Sequence, residues 1–117
     1  MKRYAAKLLF QFRVVTDGKC GKRRLCEERI ISLKATSALK ALNFAKRKGR
    51  LGQYQYTNCD GRSVYFEFIG VMDLLCLGLE CTEDEVWYDI VKRLLPLERK
   101  DKFIPPESEL NAIRHCQ

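Results

Sequence analysis

The sequence predicts an α+β fold: an antiparallel sheet of about five strands, in the order β-β-α-β-β-β, with one main helix packed on one face and a short C-terminal helix or tail. Three observations predict it. Along residues 4–15, Tyr4, Ala6, Leu8, Phe10, Phe12 and Val14 share one face, while Lys7, Gln11 and Arg13 punctuate the other. Between residues 38 and 45, Ala38, Ala41, Leu42 and Ala45 fall at helical spacing, flanked by Phe44. From Arg62 onward, Val64, Phe66 and Phe68 alternate with Tyr65, Glu67 and Ile69.

The first strand, Tyr4 to Val15, ends at Thr16-Asp17-Gly18, a turn sequence because glycine accepts positive φ. A basic loop from Lys19 to Arg24 leads to a second strand, Leu25 to Ala35, and the simplest topology is a hairpin of the two. Thr36 or Ser37 caps the helix. Lys46, Arg47 and Lys48 occupy its last turn, where cations suit the macrodipole, and Gly49 is placed to end it. Gln53 to Thr57 is a short third strand with Tyr54 and Tyr56 on one face, and Asn58-Cys59-Asp60-Gly61 is a hairpin turn. The fourth strand runs from Arg62 to Leu77, with Gly70 marking a bulge. Gly78 to Asp84 is an acidic connection. Glu85 to Leu95 alternates as a fifth strand, with a helix as the competing reading. Pro96 closes a single compact domain, residues 1–95. Residues 96–117 form a charged tail, in which Glu107 to His115 can make a short helix. The core is expected where Phe10, Phe12, Leu42, Phe66 and Phe68 meet between sheet and helix.

At 117 residues, 46% hydrophobic and 32% charged, the chain suits one domain with a buried core. No apolar run is long enough for a membrane-spanning helix, and no small-residue cleavage site follows the basic Met1-Lys2-Arg3. The expected compartment is therefore the cytoplasm, with free thiols and no membrane partner. The net charge of +7 is unevenly spread: residues 1–50 carry +12 and residues 51–95 carry −5. Such a chain can attract nucleic acid, an acidic protein, or the acidic half of another copy of itself.

Nothing in the sequence points to a reaction. Cys20, Cys26, Cys59, Cys76, Cys81 and Cys116 lack the close pairing of a zinc site, and no metal or other cofactor is expected. Cys76 sits in an apolar run and reads as core. The lone histidine, His115, lies in the tail, so no nucleophile has an evident base. Gly18-Lys19-Cys20-Gly21-Lys22 lacks the spacing of a phosphate-binding loop. Adjacent Glu27 and Glu28 point to opposite faces of a strand, which disfavours a shared metal. Glu67 admits two readings: a general acid or base in a cleft, or a cross-strand ion pair with Lys7 or Arg29.

Several stretches together resemble a known family: Tyr4-x-Ala6-Lys7-Leu8, Glu28-Arg29-Ile30, the alanine-rich run from Ser37 to Lys46, and Tyr56-x-Asn58-x-x-Gly61. Phe66-Glu67-Phe68-Ile69-Gly70-Val71-x-Asp73-Leu74 and Glu85-Val86-Trp87-Tyr88 complete the pattern. In order and spacing these resemble the small bacterial family catalogued as domain of unknown function 4288, over roughly residues 4–94. The resemblance implies a compact α+β domain from bacteria and implies no activity. The cysteines and the basic helix depart from it.

The expectation is a non-catalytic protein-binding domain, an adaptor or an immunity protein that neutralises a cognate bacterial toxin. The alternative is a nucleic-acid-binding domain. In either case the candidate partner-binding residues are Lys19, Lys22, Arg23 and Arg24 in the loop, Lys46, Arg47, Lys48 and Arg50 at the helix end, and Tyr54 and Tyr56, whose rings could stack on bases.

Overall fold

The computed structural model describes residues 1–78, 84 and 86–115. Its five strands are β1 (Lys2–Thr16), β2 (Lys19–Cys20), β3 (Cys26–Ala35), β4 (Tyr54–Thr57) and β5 (Ser63–Cys76), with α1 (Ala38–Leu51) between β3 and β4. All pairings are antiparallel. β1 is the central strand. β5 lies along one edge of it, with β4 outside β5, and β3 and the short β2 share the other edge. The tail carries α2 (Lys100–Phe103), a 3-10 turn (Glu107–Glu109) and α3 (Asn111–His115).

The α+β class, the single main helix and the helical tail all stand. Two readings of the strand order are corrected. The first strand does not turn straight into the second long one. Asp17 and Gly18, both at positive φ, close a two-residue hairpin onto β2, which pairs Thr16 with Lys19. The fifth strand is thus Lys19–Cys20, whereas residues 86–95 form no ladder. That segment is held instead through Trp87, whose ring lies 5.1 Å from Lys7 Nζ. A side-chain anchor on the face of the sheet replaces backbone pairing at its edge. Most of the acidic connection, Cys81 and Glu85 with it, lies outside the described residues, as does Cys116.

The alternation of β1 sets the core. Tyr4, Ala6, Leu8 and Phe10 are buried beneath α1, and Phe66 joins them from β5. Phe10 and Phe66 stack at 4.6 Å with ring planes 8° apart, and Phe12 and Phe68 pack around them. Leu42, expected in this core, is only half-buried. The helix presents Ala41, Ala45 and Gly49 to the sheet, positions four apart on one stripe, so Leu42 falls to the side. Small residues on that stripe bring the helix backbone close. Gly49 does not terminate the helix as expected. A Cβ there would overlap the Phe68 ring, and the helix runs on to Leu51 with Gly52 as its C-cap. Ser37 is the N-cap, its hydroxyl accepting from the Lys40 N–H at 3.2 Å.

β5 reaches the full length of β1 by breaking register twice. Ile69 and Met72 have no partner on β1 and flank the bulge expected at Gly70. Each extra residue flips the facing parity, so Phe66, Phe68, Val71 and Leu74 all remain against the core despite their uneven spacing. Cys76, read as core, is exposed at the strand end.

Candidate binding face

Because β3 runs toward the start of α1, the helix returns alongside it and leaves a groove between them. Two hollows lie end to end in this groove. The first, of about 420 Å³, is lined by Thr36, Lys40, Asn43, Phe44 and Arg47, with Met1 and Lys34 where β3 ends. The second, of about 240 Å³, is lined by Leu8, Phe10, Arg29, Ile31, Lys48 and Leu51. Lys40, Phe44, Arg47, Lys48 and Leu51 recur at helical spacing along one side of α1. The floor is apolar and the walls are basic. Arg29 lies over the Phe10 and Phe66 rings at 4.9 and 5.6 Å, and Arg47 lies 5.5 Å from the Phe44 ring. Arg29 also pairs with Glu27, two residues before it on β3.

The expected site residues are therefore divided. Arg47 and Lys48 enter the groove, together with Arg29 and Lys40, which sequence reasoning did not select. Lys46 and Arg50 point elsewhere around the helix and line neither hollow. Tyr54 and Tyr56 lie on β4, with β5 and β1 between them and β3. They are 54% and 43% exposed, and Tyr54 stacks on Phe66 at 4.8 Å. The Lys19 to Arg24 loop sits at the opposite end of β1 from the start of α1. A helical wheel of residues 40–51 would have found Lys40. Arg29 needed knowledge that β3 borders the helix.

The loop is also partly committed to structure. Arg24 Nε donates to the Gly21 carbonyl at 2.9 Å, and its Nη1 donates to Gln11 Oε1 at 3.1 Å. Gln11 Nε2 in turn donates to Glu67 Oε1 at 3.2 Å. Arg13 grips Glu67 with both arms of its fork, Nε to Oε1 at 2.8 Å and Nη2 to Oε2 at 3.1 Å. Its remaining Nη1 reaches Cys20 Sγ at 3.4 Å, and its guanidinium lies 4.4 Å from the Tyr65 ring. This network occupies the sheet face away from α1. It corrects the ion pair expected for Glu67: the partner is Arg13, not Lys7 or Arg29. Lys7 instead meets Trp87, and Arg29 lies on the other face. The hydrogen bonds from Arg13, reinforced by Gln11, hold the Glu67 carboxyl below its ordinary range, and the same contact raises Arg13. A carboxylate held ionised in this way is poorly suited to donate a proton at neutral pH.

Among the described residues, no three His, Cys, Asp or Glu side chains are grouped so as to hold a metal ion, and no helix is long and apolar enough to cross a membrane. Cys20, Cys26, Cys59 and Cys76 carry free thiols.

No curated protein and no solved structure matches the chain. One family model does, over residues 3–86, which take in β1 from Arg3 through β5 but neither Trp87 nor the tail. By that match the chain belongs to the family described as domain of unknown function (DUF4288).

Proposed function

We propose that the protein is a binding domain whose groove between α1 and β3 takes an acidic segment of a protein partner. The observation that carries this is the groove's composition: Arg29, Lys40, Arg47 and Lys48 stand over a floor that includes Phe10 and Ile31. Arginine and aromatic side chains over a packed apolar floor are what protein interfaces use as anchors. An immunity or adaptor role would use the same groove, closing on an acidic surface of the protein it neutralises or links.

A nucleic-acid reading is less well supported, because single-strand binders place stacking rings beside their cations. In this chain Tyr54 and Tyr56, the rings expected to stack on bases, lie on a different edge of the sheet from the groove cations, which among the described groove residues have the single exposed ring of Phe44 beside them. The test is a charge reversal, Lys40→Glu with Arg47→Glu and Lys48→Glu. Proteins captured from cell extract by the wild-type chain should include an acidic polypeptide that the triple variant fails to retain. Binding of random-sequence RNA and DNA should stay no tighter than the non-specific range of about 10⁻⁴–10⁻⁶ M at physiological salt. Tight RNA or DNA binding lost on reversal would replace this reading with the nucleic-acid one.

A further inference from the structure

Apart from the two-residue β2, the sheet has three stretches of open edge among the described residues, and they are not alike. β4 spans only Tyr54–Thr57. Beyond β4, the outer side of β5 is broken by the unpaired Ile69 and Met72, and its Phe68 N–H is already taken by Gln53 Oε1 at 3.0 Å. Short strands, bulges and side-chain caps are the devices by which proteins blunt an edge. β3 is ten residues long, unbulged and uncapped, and the charges toward the ends of its outward row, Glu28 and Lys34, are of opposite sign. It pairs with β1 in unbroken register from Cys26 to Ala35, and its other side meets no strand among the described residues.

One hydrogen bond fixes which groups that edge presents. The Phe12 N–H donates to the Leu25 carbonyl at 2.9 Å, so Leu25 and every second residue after it turn their backbone toward β1. Cys26, Glu28, Ile30, Ser32 and Lys34 therefore turn their N–H and C=O groups outward. All five are exposed, Ile30 among them at 43%.

We propose that this edge is a dimerisation edge, on which a second copy adds its own β3 antiparallel about a two-fold axis centred on Ile31. The axis must stand perpendicular to the sheet, so opposite residues share a face and the outward-turned residues must pair with one another. Centring on Glu28 or Arg29 sets like charges opposite each other. Centring on Ile30 sets Glu28 opposite Ser32 and leaves Lys34 opposite Cys26. Centring on Ile31 sets Glu28 opposite Lys34 twice by symmetry, with Ile30 opposite Ser32 and Ile31 against Ile31. Neither Glu28 nor Lys34 has an ion partner among the described residues. Charge complementarity thus selects a second copy of this chain and one register. The axis also places both α1 helices on the same side of the joined sheet, so the two basic grooves flank the joined β3 strands. The edge pairing does not depend on what the grooves bind.

The test is sedimentation of the full-length wild type and four variants over a concentration series, with far-ultraviolet circular dichroism to confirm folding. The wild type should dimerise. Glu28→Lys and Lys34→Glu should each weaken the dimer about tenfold or more, because each change turns two attractive pairs into repulsive ones. The double exchange Glu28→Lys with Lys34→Glu should restore it. Ser32→Pro removes an outward N–H that β1 does not use and should give a monomer. A wild type that stays monomeric at the highest attainable concentration would overturn the proposal. So would a dimer indifferent to the charge changes, and the exchange pair decides even if Ser32→Pro does not fold.

Discussion

The two faces of the sheet are built from the same strands and held by different physics. On the face beneath α1, Tyr4, Ala6, Leu8, Phe10 and Phe66 are buried against an alanine and glycine stripe of the helix. On the opposite face, Gln11, Arg13, Arg24 and Glu67 form a chain of hydrogen bonds whose central pair keeps about 30% of its side-chain surface in contact with water. The first face derives its stability from apolar burial. The second positions a loop and responds to protonation. The same division separates the groove, which rests on the packed face, from the hairpin loop that the sequence presented as an equal candidate.

The comparison breaks most visibly at Phe66. Phe66→Ala should destabilise the fold by about 3–5 kcal/mol, since it removes a fully buried ring from the stack. Chemical denaturation measures this directly, and a loss below about 1 kcal/mol would mean that the packed face does not hold the domain together. Gly49→Ala comes next. Its methyl meets the Phe68 ring, and the loss should be about 1–3 kcal/mol, partly offset by the better helix propensity of alanine. Coupling to Phe68→Leu sharpens the point: the double variant should recover part of the loss, because the smaller side chain makes room. Ser37→Ala should cost about 1 kcal/mol through the lost cap at the start of α1.

The smallest expected effect belongs to the far face. Glu67 has a folded pKa below its unfolded value, so its contribution is present above the ordinary carboxylate range and is lost as pH falls through the depressed folded value. Glu67→Gln should therefore lower the thermal midpoint slightly at neutral pH, and the gap to wild type should close in acid. Midpoints recorded from neutral pH down to pH values below the carboxylate range check the sign. A gap that widens on acidification would contradict the assignment.

Much of the fold was legible because β1 is a regular strand whose two faces differ in chemistry. Its alternation named Tyr4 through Phe12 correctly. It did not anticipate Ala5, which is fully buried on the far face, where Leu77 at the end of β5 is buried as well. β5 was harder. Period two fails wherever a bulge adds a residue, so Val71 and Leu74 cannot be assigned to the core face without knowing that Ile69 and Met72 are skipped. Gly49 shows a different ambiguity. A glycine after a run of cations reads equally as a helix stop or as a close contact, and only the position of Phe68 decides between them. Residues 86–95 alternate as well as a strand does, but alternation cannot say whether an edge awaits them. The binding face was half legible for the same reason. Charge density along the sequence marked the basic stretches, while the groove selects cations by which side of α1 they occupy and adds Arg29 from a strand distant in sequence.

The central claim is that the groove, and not the hairpin loop or the far face, meets the partner. Lysine-reactive cross-linking of the full-length chain with the proteins it captures tests this most directly, because each region carries its own lysines. The account predicts intermolecular cross-links concentrated on Lys40 and Lys48, with Lys7, Lys19 and Lys22 reacting as they do in the free chain. Cross-links concentrated on Lys19 and Lys22, or on Lys7, with Lys40 and Lys48 unaffected would contradict it.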